Sequence, residues 1–242
     1  VVRNGEVAVF HHNFDRLWGP VALGSGAGGP PTVADFDGDG EPEIGVAGQS
    51  IYTVFDTDGS VLWSRTVQDG TSGVTGSSVF DFEGDGIAEV VYADEITLWV
   101  FNGPDGAVKL QYQDHTSNTW LEYPVVADVD GDGSAEILFG HNPYQGQTTA
   151  FRGISVIADA ADSWVPTRQI WNQHPYHLTN VKDDGGIPVN ADANWLSFNN
   201  FRSGDIHAGE GSAAPDLVPE IVAVCEDACD EGEVFVWLRV RN

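Results

Sequence analysis

One fifteen-residue pattern occurs three times in this chain and narrows the folds open to it. Thr32-Val-Ala-Asp-Phe-Asp-Gly-Asp-Gly-Glu-Pro-Glu-Ile-Gly-Val returns as Ser78-Val-Phe-Asp-Phe-Glu-Gly-Asp-Gly-Ile-Ala-Glu-Val-Val-Tyr and again as Val125-Val-Ala-Asp-Val-Asp-Gly-Asp-Gly-Ser-Ala-Glu-Ile-Leu-Phe. The first acids, Asp35, Asp81 and Asp128, lie 46 and 47 residues apart. That period suits one four-stranded blade of a β-propeller. A second element keeps phase with the first: Glu6-Val-Ala-Val-Phe10, Ile51-Tyr-Thr-Val-Phe55 and Thr97-Leu-Trp-Val-Phe101 are strand-like, and the last two run into the hairpin dipeptides Asp58-Gly59 and Asp105-Gly106. The expected fold is all-β, with three nearly complete blades from about residue 30 to about 172 and the last strands of an earlier blade before them. Gly153–Ala158 and Trp164–Trp171 are the expected closing strands of the third blade. Propellers have about four to eight blades, so the ring is expected to be incomplete in this chain.

The loop inside each repeat is a cation-binding pattern. Asp35, Asp37, Asp39 and Glu43 occupy its positions 1, 3, 5 and 9; Asp81, Glu83, Asp85 and Glu89 do so in the second copy, and Asp128, Asp130, Asp132 and Glu136 in the third. The intervening glycines let the backbone turn tightly enough to converge these oxygens. A backbone carbonyl at position 7 (Glu41, Ile87 or Ser134) is the further expected donor. An all-oxygen, flexible shell is what Ca2+ takes, whereas Zn2+ favours His or Cys and Mg2+ a stricter octahedron. Three Ca2+ sites are therefore expected. Position 9 leads directly into a strand, so the helix and the position-12 Glu of an EF-hand are lacking. Glu83, with its longer arm, is expected to weaken or reshape the second site.

On these loops and their spacing the chain resembles the FG-GAP or VCBS repeat family, the calcium-loop propellers that include the integrin α-subunit. The resemblance covers residues 1–172. It implies a propeller whose Ca2+ ions brace individual blades, with roles in adhesion and surface display and without catalysis.

Charge supports a cation-dependent fold. With 37 acidic against 10 basic residues the formal net charge is −27, which repels nucleic acid and anionic membrane and strains a compact state unless it is neutralised. No run approaches the ~20 apolar residues of a membrane-spanning helix. Met is absent, and the expectation is a piece of a longer polypeptide.

After residue 172 the period is lost. Residues 173–212, rich in Asn, Asp, Gly and aromatics, are expected as an irregular layer on the propeller rim, and they resemble the segment that follows such propellers in the C-terminal part of large secreted bacterial proteins. His174 and His177 sit three apart, but Pro175 between them argues against a helix presenting both to a metal. Residues 213–242 hold two alternating strands around Cys225-Glu-Asp-Ala-Cys229 and resemble the start of a CARDB-like, immunoglobulin-like adhesion domain. Cys225 and Cys229 are too few for structural zinc; a local disulfide in an oxidising compartment is expected, with two free thiols as the alternative.

The expected function is that of an extracellular or cell-surface structural and adhesive module, a subunit of a surface fibre or other assembly, and not an enzyme. Other copies of itself or upstream blades of the same polypeptide are the expected partners. The alternative is a carbohydrate-binding or polysaccharide-lyase propeller that uses aromatics of the post-propeller segment on surface glycans.

Overall fold

Short apolar runs punctuated by Gly, Asp and Pro fold as strands that meander without crossing over. β1 (Val2–Arg3), β2 (Glu6–Phe10) and β3 (Arg16–Ala22) form a first sheet. The second comprises β4 (Thr32–Ala34), β5 (Glu43–Ala47), β6 (Ile51–Phe55) and β7 (Val61–Thr66), and the third β8 (Ser78–Phe80), β9 (Glu89–Ala93), β10 (Leu98–Phe101) and β11 (Val108–Tyr112). β12 (Val125–Ala127), β13 (Glu136–His141) and β14 (Gly153–Ile157) make the fourth. This is a computed structural model, and it describes residues 1–146 and 151–206 together with the backbone of β15 (Val218–Cys225) and β16 (Phe235–Arg241). The chain divides into two units, Val1–Ser212 and Ala213–Asn242. In the second unit β15 pairs antiparallel with β16 from Val218↔Arg241 to Cys225↔Phe235. Cys229 and the expected disulfide lie outside the described residues.

The first unit is all-β, four antiparallel sheets with a single four-residue α-helix, α1 (Asn194–Ser197), among the described residues. Its cores lie between successive sheets. Along β9, Val90 and Tyr92 enter a cluster with Val54, Trp63 and Phe101, while Val91 and Ala93 enter another with Val126, Ile137 and Phe139. Side chains alternate across a strand, so the third sheet supplies one core from each face. This is why β9 is buried at every position and reads as a continuous apolar run rather than an alternating one. The first and second sheets share a smaller cluster of Val7, Leu23, Val46 and Phe55.

A tryptophan on each of two outer strands locks a sheet to the next one. The Trp63 ring stands where a Cβ on Gly106 would be, 2.5 Å away, and its Nε1–H donates to the Gly103 carbonyl at 2.5 Å. Trp18 covers Gly59 in the same way at 2.7 Å. Both glycines have positive φ, +66° and +86°, in the loops that join β10 to β11 and β6 to β7. The Asp-Gly dipeptides therefore serve the hairpins expected of them, and they also leave room for the neighbouring sheet's indole.

Two expectations change. Trp164–Trp171 is not a strand. Pro166 lacks a ladder donor, and the backbone around it turns back toward earlier elements: the Val165 amide donates to the Phe82 carbonyl at 3.1 Å, and the Arg168 carbonyl accepts from the Asp128 amide at 3.2 Å. Among the described residues the fourth sheet thus has three strands where four were expected. Residues 201–203 of the segment after it run along the short strands β4 and β8, which face each other as β8 and β12 do. Phe201 and Val33 exchange both backbone bonds, at 2.8 and 3.4 Å, and the Val79 amide donates to the Arg202 carbonyl at 3.0 Å. Three-residue edge strands leave donors and acceptors unpaired, and residues 201–203 satisfy them. Arg202, 4% exposed, lies over the Tyr123 ring at 4.7 Å with Nη2 3.3 Å from His174 Nδ1.

Candidate metal centres

Each loop is built identically at its base. Position 9 opens the second strand and pairs with the residue just before position 1: Ala34↔Glu43, Phe80↔Glu89, Ala127↔Glu136. Its carboxylate folds back and accepts the amide at position 2, that of Phe36 at 2.7 Å, Phe82 at 3.2 Å and Val129 at 2.7 Å. The glycines at positions 4 and 6 all have positive φ, between +70° and +91°. This wraps the backbone around the first acid. Asp35 accepts the Gly38 and Gly40 amides at 2.7 and 2.9 Å, Asp81 those of Gly84 and Gly86 at 2.6 and 2.7 Å, and Asp128 that of Gly131 at 2.7 Å. Position 5 accepts from position 7: Asp39 from Glu41 at 2.8 Å, Asp85 from Ile87 at 3.0 Å, Asp132 from Ser134 at 2.8 Å.

Carboxylates converge as a result. Oxygens of Asp35, Asp37 and Asp39 lie within 4.8 Å of one another in the first loop, as do those of Asp81, Glu83 and Glu89 in the second and Asp128, Asp130 and Glu136 in the third. At this separation two charges repel by roughly 1 kcal/mol in water and about 3–4 kcal/mol at an effective dielectric of 20. Burial and like charge both oppose ionisation here. Burial pushes Glu43 up to about 8, with Asp37, Asp35 and Asp39 adding to it against the Phe36 hydrogen bond. Burial likewise raises Asp37, Asp81 and Glu136.

Whether Ca2+ fits can be judged from Glu43. The residue is fully buried, one oxygen is held by Phe36, and the other, Oε1, is buried with no hydrogen-bond donor. Burial holds this carboxyl protonated at neutral pH and leaves one oxygen without a donor, a site a cation would complete, and the neighbouring carboxylates of Asp35, Asp37 and Asp39 are the hard set that Ca2+ takes. The clustered carboxylates fit a hard cation such as Ca2+ in the first loop through Asp35, Asp37 and Asp39 and in the third through Asp128, Asp130 and Glu136; Glu43 and Asp132 are not part of these clusters.

The second loop departs from this. Lys109 Nζ lies 2.5 Å from Glu83 Oε1 and 3.0 Å from Glu89 Oε1. Burial pulls the ammonium's pKa down, but the two carboxylates more than offset it, and the net direction is up. Burial and Glu83 raise Glu89, against Lys109. Sequence reasoning missed Lys109. The signal was available in the repeats: Asp58-Gly59-Ser60-Val61-Leu62 aligns with Asp105-Gly106-Ala107-Val108-Lys109, a lysine standing where the previous unit has leucine.

A groove of about 450 Å³ opens between the first and second loops, lined by Asp35, Asp37, Asp39, Asp81 and Asp85 together with Asn199 and Asn200. Of the histidines weighed as metal ligands, His174 is held by the Leu121 carbonyl and Arg202, while His177 Nδ1 is buried without a partner.

Residues 81–139, which contain the second and third loops, match the FG-GAP-like repeat family. The crystal structure of the V. cholerae biofilm matrix protein Bap1 is similar to this chain, with a TM-score of 0.64 and 34% sequence identity over 68% of the chain. The matched region is 28% of the Bap1 chain, so this chain spans little more than a quarter of that protein. Among curated proteins none matches.

Proposed function

We propose that this chain is a calcium-braced, structural and adhesive module of an extracellular matrix, built from consecutive blades of a β-propeller, and that it performs no catalysis. The observation that carries the reading is the buried, donorless Oε1 of Glu43 at the base of an acidic loop whose architecture recurs in sequence and register. The FG-GAP-like match and the similarity to a biofilm matrix protein support the extracellular and adhesive part. No helix of the described residues is long and apolar enough to cross a membrane.

Partners follow from the sheets. Among the described residues the first and fourth have three strands each, against four in the second and third. Strand addition by another copy, or by further blades of the same polypeptide, would complete them. The hairpin β15–β16 is proposed as the start of a CARDB-like domain, and surface glycans are the proposed adhesive target. Trp195 is 70% exposed and available to such a target, whereas Trp171 is stacked on the buried Tyr176 at 4.2 Å.

Thermal unfolding in millimolar Ca2+, in Mg2+ and in excess chelator tests the metal part. Calcium at a hundred times its Kd is expected to stabilise by about 2.7 kcal/mol per site, Mg2+ by much less. A melting temperature identical in calcium and in chelator would refute the calcium reading.

A further inference from the structure

We infer that the second loop carries its own cation: the Lys109 ammonium takes there the role proposed for calcium in the first and third loops, so that the chain binds two Ca2+ ions rather than three. The inference rests on the calcium reading of the other two loops.

Lys109 sits on β11, the fourth strand of the third sheet, and reaches the loop between β8 and β9 of the same sheet. Its Nζ contacts two of the three carboxylates that converge in this loop, Glu83 and Glu89. The 2.5 Å contact to Glu83 falls within the 2.3–2.6 Å typical of calcium to oxygen, and the 3.0 Å contact to Glu89 is longer. Glu83 stands where the other loops have Asp37 and Asp130, and its carboxylate on the longer arm is the one that Lys109 contacts at 2.5 Å. Two of this repeat's departures from its neighbours, Glu83 and Lys109, touch each other.

The neighbouring loops lack such a device. In the second sheet the matching residue is Leu62, which packs against the apolar cluster around Trp63 and Phe101. Glu43 accordingly keeps an oxygen with no donor, whereas both oxygens of Glu89 are engaged, one by the Phe82 amide and one by Lys109. In the fourth sheet there is no fourth strand among the described residues, and the side chain reaching Asp128 is the neutral amide of Gln169 at 3.3 Å. A calcium ion entering the second loop would have to expel a tethered ammonium from a buried carboxylate, a competition absent at the other two loops.

Equilibrium dialysis of the full chain with radioactive Ca2+, after stripping with chelator, reads the stoichiometry directly. The expected values are two ions for the wild type, three for Lys109→Met and two for Lys109→Arg, with circular dichroism confirming that each variant folds. Three ions in the wild type would overturn the inference and leave the calcium reading standing; none would refute the calcium reading itself. Two ions in both the wild type and folded Lys109→Met would overturn the role given to Lys109. Should Lys109→Met not fold, the double variant Asp35→Asn, Asp128→Asn decides alone: it is expected to bind no calcium, and one bound ion would overturn the inference.

Discussion

Protonation of His115 should loosen the junction between the third and fourth sheets. His115, 1% exposed, follows β11, and its Nε2 lies 2.8 Å from the Asp94 carbonyl just after β9. A carbonyl only accepts, so Nε2 carries the hydrogen and Nδ1 of a neutral ring is bare. His141, the last residue of β13, then donates from Nδ1 to His115 Nδ1 at 3.2 Å and accepts at Nε2 from the Ser155 hydroxyl of β14 at 2.7 Å. Every hydrogen in this relay is assigned with both rings neutral. Phe139 packs edge-on against His115, and the acid lining the same small cavity, Glu122, is already held by Ser117 and the Trp120 amide. Burial therefore lowers His115 from 6.5 to about 4, with the Asp94 carbonyl opposing and His141 adding. The unfolded chain takes up the proton first. The stabilisation is complete above pH 6.5, is lost as pH falls toward 4, and amounts to about 3 kcal/mol. Urea unfolding of the wild type and His115→Gln in saturating Ca2+, from pH 7.5 to pH 4, isolates this group because the carboxylates titrate in both proteins. The wild type is expected to lose about 3 kcal/mol more than the variant across that range. A stability difference between the two that stays constant with pH would refute the reasoning.

Glu43→Gln at neutral pH should act with opposite sign in two buffers: raising the melting temperature in chelator, where it removes a carboxyl that folding forces to stay protonated, and lowering it in Ca2+, where it removes a ligand; the same sign in both would count against the assignment. Gly106→Ala is expected to cost well over ~1 kcal/mol in urea unfolding, since the residue adopts positive φ and its Cβ would stand 2.5 Å from the Trp63 ring.

Much of this molecule was legible because its information is local and repeated. The loop pattern places Asp35, Asp81 and Asp128 at the same point of three sheets, and the apolar runs ending at Phe55 and Phe101 are strands β6 and β10. What escaped involves contacts with no sequence period. Lys109 meets Glu83 from two strands away in its sheet, and the backbone of residues 201–203 finds Val33 and Val79 across a long stretch of chain. Trp164–Trp171 read as a strand because its composition is right, but Pro166 and the carbonyl of Phe82 drew it elsewhere. Trp18 and Trp63 were visible only as aromatic residues; that each selects a glycine on the following sheet is a matter of stacking geometry.

Because the second and third sheets each give one face to the sheet before and the other to the sheet after, the apolar cores of the first unit form a series of nearest-neighbour couplings rather than one shared centre, with residues 201–203 tying β4 to β8 besides. Cohesion in such an array is unequal. The second and third sheets, gripped from both sides, should retain their amide hydrogens longest in deuterated solvent, while the fourth, with Ile154 and Val156 of β14 turned outward, should exchange first along with the first sheet. A protein assembled this way concentrates its apolar couplings between neighbouring sheets, and under mechanical load those layers would yield in steps instead of failing at once.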